Sequence, residues 1–192
     1  MKGTLAITGD PDADRLLNSD PLALLLGMLL DQQIPMEWAF MGPYRLTDRL
    51  GAPLDASAIA SMDPDEFAEL VKAKPALHRF PGSMATRIQA LCQHLVDEYD
   101  GDAGAVWRGV PRGDMLFERL VALPGYGEEK ARIFTAILAK RFGTTPTGWE
   151  DVAGPFADDT PRSVADVDSP EALERVRAWK KEQKARGKTK AE

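Results

Sequence analysis

Apolar residues recur at helical spacing along most of this chain, and one segment is apolar on nearly every side. Ser19-Asp20-Pro21 has the form of a helix start, a capping side chain followed by proline at the first helical position. From Pro21 to about Gln33 the run carries Leu22, Ala23, Leu24, Leu25, Leu26, Met28, Leu29 and Leu30, which predicts a buried helix. It turns abruptly polar at Asp31-Gln32-Gln33 before Ile34-Pro35. Upstream, Thr4 to Thr8 reads as a short strand or an extended lead-in ended by Gly9-Asp10-Pro11. Downstream, the pattern predicts a helix over Met36 to Leu50, interrupted near Gly42-Pro43 and stopped by Gly51. A helical turn over Asp55 to Ser61 follows, then a helix capped by Asp63 and running to about Lys72. Pro75 to Gly82 is an ordered loop whose aromatic and basic residues face either packing or a ligand. Ser83 starts a long amphipathic helix through Ile88, Leu91, Cys92, Leu95 and Tyr99. A short turn over Ala103 to Arg108 is centred on Trp107. Beyond the first few residues no period-two alternation is convincing, so the fold class is all-α.

Two further helices flank a very short connection. Arg112 to Leu123 has Met115, Leu116, Leu120 and Leu123 on one stripe, and Lys130 to Phe142 has Ala131, Phe134, Ile137, Leu138 and Phe142. Between them Pro124 stops the first helix and Gly125 and Gly127 bracket Tyr126. Glycines here allow a sharp turn and close approach of another molecule. A tight turn feeding a helix start leaves N–H groups pointing outward at the positive end of the helix, suited to a phosphate oxygen. The same spacing also describes a plain corner between two helices.

Composition narrows the functional classes. The 192 residues, 44% hydrophobic, suffice for one sizeable core or two small lobes sharing a cleft. No apolar run approaches the roughly 18 residues of a membrane span, and no signal-peptide core follows Met1-Lys2-Gly3, so a soluble cytoplasmic protein is expected. One cysteine, Cys92, excludes a disulfide framework and an intramolecular four-cysteine iron–sulfur cluster. His78 and His94 are the only histidines and do not form a metal-ligand spacing with cysteine or carboxylate. The net charge of −6 is unevenly spread: residues 171–192 hold eight Lys/Arg against four Glu, net +4, leaving 16 Lys/Arg and 26 Asp/Glu, net −10, elsewhere. That basic end is either a solvated helix or a contact for an anionic polymer.

Leu-Pro-Gly-Tyr-Gly at 123–127, with Leu120 before it and Lys130-Ala131 beyond, resembles the helix-hairpin-helix motif of the HhH-GPD DNA glycosylase superfamily. Leu29-Leu30-Asp31-Gln32-Gln33, with Ala39 further on, is similar to that family's Leu-x-x-Gln-Gln segment. The resemblance covers roughly residues 20 to 150. It implies two helical lobes around a cleft, with Gly125, Tyr126 and Gly127 holding one phosphate of double-stranded DNA, aided by a carbonyl-bound monovalent cation. It also implies that Gln32 or, position for position, Gln33 fills the gap left by a flipped damaged base. The family's catalytic aspartate follows a Gly/Pro-rich loop after the second hairpin helix, which here points to Asp151 or Glu150, beside Trp149. Asp158, Asp159 and Asp166 are further carboxylates within reach of such a cleft. Bifunctional members carry a lysine two residues after the last hairpin glycine; that position here is Glu129, and Lys130, one residue later, faces a phosphate or the helix's own wet side.

These observations lead to an expected base-excision repair protein, a monofunctional DNA N-glycosylase without an iron–sulfur cluster. The alternatives are a non-catalytic DNA-binding protein on the same fold that recognises distorted duplex, and a scaffold whose cleft takes a partner peptide. The expected organisation is an extended segment over 1–19, the helical domain over 20–156, and a C-terminal segment over 157–192. In the last of these, Ala172 to about Arg186 forms a basic helix docked through Leu173, Val176 and Trp179. Arg175, Lys180, Lys181 and Lys184 are left facing water or DNA, and residues 187–192 form a disordered tail.

Overall fold

The apolar run is helix α2 (Pro21–Leu30), and every residue from Leu22 to Leu30 is buried. Asp20 caps its start by accepting from the Leu22 and Ala23 amides at 2.8 and 3.3 Å. The helix stops at Leu30, where the Asp31 amide turns back to the Gly27 and Met28 carbonyls and Gln33 takes a left-handed φ of 57°. In this computed structural model, which describes residues 3–187 and 189, the other elements are arranged around α2. A single hydrophobic core runs from Leu5 to Val176, and the described residues contain no strand, only an isolated bridge between Arg112 and Thr147.

Helix α3 (Met36–Leu50) packs on α2 through glycine notches. A Cβ on Gly27 would stand 2.6 Å from Phe40 Cδ1, and one on Gly42 would stand 2.4 Å from Leu30 Cδ1. The interruption expected near Gly42-Pro43 is absent. Proline removes one helical hydrogen bond, but Gly42 and Pro43 are both buried, and that packing holds the helix continuous. Gly51 closes it in the left-handed conformation, as expected.

Helices α4 (Ala56–Ser61) and α5 (Pro64–Lys72), capped by Asp55 and Asp63, pack against the long α6 (Pro81–Tyr99). Helices α7 (Gly113–Ala122) and α8 (Glu128–Phe142) form the hairpin, and the short α9 (Trp149–Ala153) packs against both.

The N-terminal segment is only partly extended. Residues 11 to 19 form helix α1 (Pro11–Ser19), capped by Asp10 bonds to the Asp12 and Ala13 amides at 2.9 and 3.1 Å. The Asp10-Pro11 pair that reads as a turn is a capped helix start, confirmed by burial of Ala13 and Leu17 on one face. Thr4 to Thr8 is a lead-in rather than a strand. Side chains satisfy much of its backbone: the Leu5 amide donates to Asn18 Oδ1, and Asn18 Nδ2 donates to the Leu5 carbonyl, both at 2.8 Å, while the Ala6 amide donates to the Val167 carbonyl at 3.4 Å.

The C-terminal helix α10 (Pro170–Ala185) docks through Leu173 and Val176, with Trp179 half-buried under the Arg162 guanidinium at 5.3 Å. Beneath it, Lys140 Nζ meets Asp166 Oδ1 at 2.7 Å in a nearly buried ion pair. Asp166 Oδ2 also accepts from the Arg162 and Ser163 amides at 3.0 Å.

Candidate nucleic-acid interface

The hairpin turn is built from backbone bonds. Leu123 N–H donates to the Leu120 carbonyl at 3.2 Å and Tyr126 N–H to the Leu123 carbonyl at 3.0 Å. Gly125 follows at φ +84°, and Gly127 begins α8 without any side-chain cap. Among the described residues neither the Gly125 nor the Gly127 amide has a hydrogen-bond partner, and both glycines are exposed. Exposed amides at a helix start attract an anion, but the first turn of α8 also carries the exposed carboxylates Glu128 and Glu129, which oppose one.

Two sequence expectations for this turn change. The Tyr126 side chain points inward rather than toward solvent: its hydroxyl donates to the Leu25 carbonyl at 2.8 Å, and its ring meets Phe134 edge-on at 5.9 Å. Burial pushes that phenol well above its ordinary pKa. Its amide is spent on Leu123, so Tyr126 offers an outside molecule little beyond its carbonyl. Lys130 also turns inward. Its Nζ donates to the Met28 and Leu29 carbonyls at 2.7 and 2.6 Å. The last carbonyls of a helix lack internal partners, and a lysine satisfies them while complementing the negative helix end.

These contacts bring the two motif segments together. The end of α2, and so the Gln32-Gln33 turn that follows it, is held to the hairpin by Tyr126, Lys130 and the packing of Gly125 on Leu29. The two glutamines then diverge. Gln32 is tied down: its Nε2 donates to the Leu29 carbonyl at 3.0 Å and its Oε1 accepts from Arg87 at 2.9 Å. His78 fixes the backbone beneath it. His78 Nδ1 accepts from the Phe80 amide at 3.0 Å, so Nε2 carries the proton and donates to the Gln32 carbonyl at 2.8 Å. Gln33 has no hydrogen-bonding partner among the described residues, is exposed, and occupies a left-handed φ that costs a side-chain-bearing residue energy.

The His78 link also brings Phe80 next to this turn. Phe80 is 46% exposed, the most exposed large hydrophobic among the described residues, with the Arg79 guanidinium 5.3 Å from its ring centre. The sequence marks the loop as aromatic and basic but carries no signal that joins it to Gln32.

Glu150 and Asp151 are both exposed, in the first turn of α9, where a carboxylate also favours the helix start. The α9 helix is placed by the hairpin helices. A Cβ on Gly113 would lie 2.7 Å from the Gly148 carbonyl, and Arg132 Nη1 donates to the Val152 carbonyl at 3.2 Å. Arg132 lies five residues past Gly127, about 7.5 Å along the helix axis. The Glu150 carbonyl closes the helix by accepting from the Gly154 amide, while neither the Glu150 nor the Asp151 side chain has a hydrogen-bonding partner among the described residues. The other candidate carboxylates are engaged or remote from this arrangement: Asp166 is locked to Lys140, and Asp158 is held by Arg162 at 3.1 Å. Burial pulls the Asp158 carboxyl upward, yet the Arg162 and Thr160 hydrogen bonds outweigh it and leave the pKa below its ordinary value. Asp159 is exposed beside Asp158. Trp149 is half-buried against the core.

An open cleft of about 570 Å³ runs from the glutamine turn to α10, lined by residues 31 to 37 together with Arg177 and Lys180. Arg177 closes one side by pairing with Glu37 in the first turn of α3 and with Glu174.

Among the described residues no group of three His, Cys, Asp or Glu could hold an ion. Cys92 is buried in α6, where burial, with a smaller push from Asp55, raises its thiol to about 12. A four-thiolate cluster does not fit this chain. A monovalent cation fits the hairpin better, because the Leu120 and Leu123 carbonyls each keep a second lone pair after the turn bonds.

No described helix is both long and apolar enough to cross a membrane. Solved structures that resemble the chain include an endonuclease III–DNA covalent intermediate, an estranged-adenine complex, at 20% identity and TM-score 0.46, covering 81% of this chain and 65% of that one. A non-covalent endonuclease III–DNA complex matches at 22% identity and TM-score 0.47, over 86% of this chain and 67% of that one. The chain therefore spans about two thirds of their length. No curated protein matches it. The model of the HhH-GPD superfamily of base excision DNA repair proteins matches residues 26–192, beyond the span of the motifs themselves, and the chain belongs to that family.

Proposed function

We propose that this protein is a monofunctional DNA N-glycosylase that removes a damaged base from double-stranded DNA. The observation that carries the reading is the attachment of the glutamine turn to the hairpin through Tyr126 and Lys130. The hairpin then offers two unpaired amides for a phosphate, and the end of α2 attached to it leads directly into an unpaired, exposed Gln33. Family membership supports the repair chemistry, and hydrolysis at the sugar calls for a carboxylate that stabilises positive charge and activates water. We assign this role to Asp151, with Glu150 as its neighbour. A base must leave the stack before it reaches such a group, and Gln33 and Phe80 are the exposed side chains suited to fill the space it vacates. A monovalent cation on the turn carbonyls would supply local positive charge opposite a phosphate, where Glu128 and Glu129 otherwise repel it. The amine for a Schiff base is missing at Glu129, and Lys130 is engaged with α2, which favours hydrolysis alone.

Single-turnover base release tests this. A panel of duplexes with alkylated, deaminated, oxidised and mismatched bases is incubated with the native protein, Asp151→Asn and Glu150→Gln. Release by the native protein and loss of at least about 100-fold in Asp151→Asn is the expected result. The absence of release from the whole panel, with duplex binding retained, would support a second reading, a non-catalytic protein that recognises distorted duplex. The repulsive Glu128-Glu129 pair is the feature that favours it.

A further inference from the structure

The hairpin that should hold DNA carries two exposed carboxylates, on a body whose net charge is −10 outside residues 171–192. Some other element must supply the attraction that a phosphate backbone requires. On α10, Arg177, Lys180, Lys181 and Lys184 stand at helix positions i, i+3, i+4 and i+7, a single stripe. Its first two members line the cleft beside Gln33. Arg177 is anchored to Glu37, which fixes the start of the stripe against the first turn of α3. Lys181 and Lys184 are exposed and have no ion-pair partner among the described residues. From Arg177 to Lys184 the stripe runs about 10 Å. Phosphates of one strand rise about 3.4 Å per nucleotide, so this length matches roughly three of them.

We infer that α10 is the electrostatic anchor of this protein: its Lys180–Lys181–Lys184 stripe binds the phosphates of the strand that flanks the site held by Gln33. This inference rests on the DNA reading above. It gives the basic end of the chain a role in affinity, separate from the hairpin amides that set register and from the carboxylate that does chemistry.

The test is fluorescence anisotropy of a labelled 30-base-pair duplex carrying a tetrahydrofuran abasic analogue, titrated with the full chain from 50 to 300 mM KCl. Lys181→Gln/Lys184→Gln is compared with the native protein and with Gly127→Asp, all with folding checked by circular dichroism. Loss of two phosphate contacts should lower the slope of log affinity against log salt by about 1.8. Gly127→Asp should weaken binding as well. An unchanged slope in the lysine variant, with Gly127→Asp still defective, would overturn the anchor while leaving the DNA reading intact. No binding of the duplex by the native protein at 50 mM KCl would overturn both.

Discussion

Lys130 Nζ donates to the Leu29 carbonyl at 2.6 Å, a bond between residues 101 positions apart that ties the hairpin helix to the end of the buried helix. A lysine just past a hairpin glycine invites a catalytic reading, but this one is occupied by two helix-end carbonyls. Lys130→Met should therefore destabilise the fold by about 2–3 kcal/mol in urea denaturation, the scale of charged hydrogen bonds. It should not change the yield of any borohydride-trapped DNA adduct. A trapped adduct that disappears in Lys130→Met at unchanged stability would make Lys130 a nucleophile and refute the monofunctional reading.

The two hairpin glycines are required for different reasons. A Cβ on Gly125 would sit 2.4 Å from Leu29 Cδ1, at a φ of +84°. Gly125→Ala should cost about 2 kcal/mol or more, from strain and overpacking together. A Cβ on Gly127 meets nothing within 4 Å, and its φ of −100° suits any residue. Gly127→Ala should then leave stability within about 0.5 kcal/mol. Its effect should appear in duplex affinity, because the open space is where a phosphate approaches. Equal melting temperatures for the two variants would contradict this division.

The glutamines make a matching pair. Gln33→Gly should raise stability by about 1 kcal/mol by relieving the left-handed backbone, while lowering affinity for a duplex with an unpaired or missing base. Gln32→Ala should lose stability, since it leaves Arg87 without its amide acceptor. Thermal denaturation and anisotropy on the two variants check both signs. A stabilised Gln33→Gly with full affinity would show that the strain serves no binding role.

Stability should fall in alkali for a definite reason. The Cys92 thiol, ordinarily 9.0, is pushed up to about 12 by burial, and Tyr126 lies well above its ordinary 10.0. Above the ordinary values the unfolded chain releases protons that the folded chain keeps, so unfolding becomes more favourable as pH rises. The Cys92 contribution is complete below pH 9.0 and is lost progressively toward about 12, at about 1.4 kcal/mol per pH unit. Urea midpoints between pH 8 and 11 should fall, and Cys92→Ala should shallow the slope without changing its sign, because Tyr126 remains. A slope identical in Cys92→Ala would show that the folded thiol titrates normally.

Much of this molecule was determined by local sequence. The all-round apolar run from Leu22 to Leu30 had to be buried, the caps at Asp20, Asp55 and Asp63 and the stop at Gly51 set helix ends, and Pro124 to Gly127 set the turn, because each depends on residues within a few positions. The start of α1 at Asp10-Pro11 and the continuity of α3 through Pro43 were less legible, since burial against distant residues outweighed the local breaker signal. Tertiary structure alone decided the site. Whether Tyr126 and Lys130 faced DNA or the end of α2 depended on partners 101 residues away, which glutamine stayed unpaired depended on Arg87, 55 residues from Gln32, and the locking of Asp166 depended on Lys140, 26 residues away. Periodicity assigns a side chain to a face of its own helix, but only packing determines what that face meets.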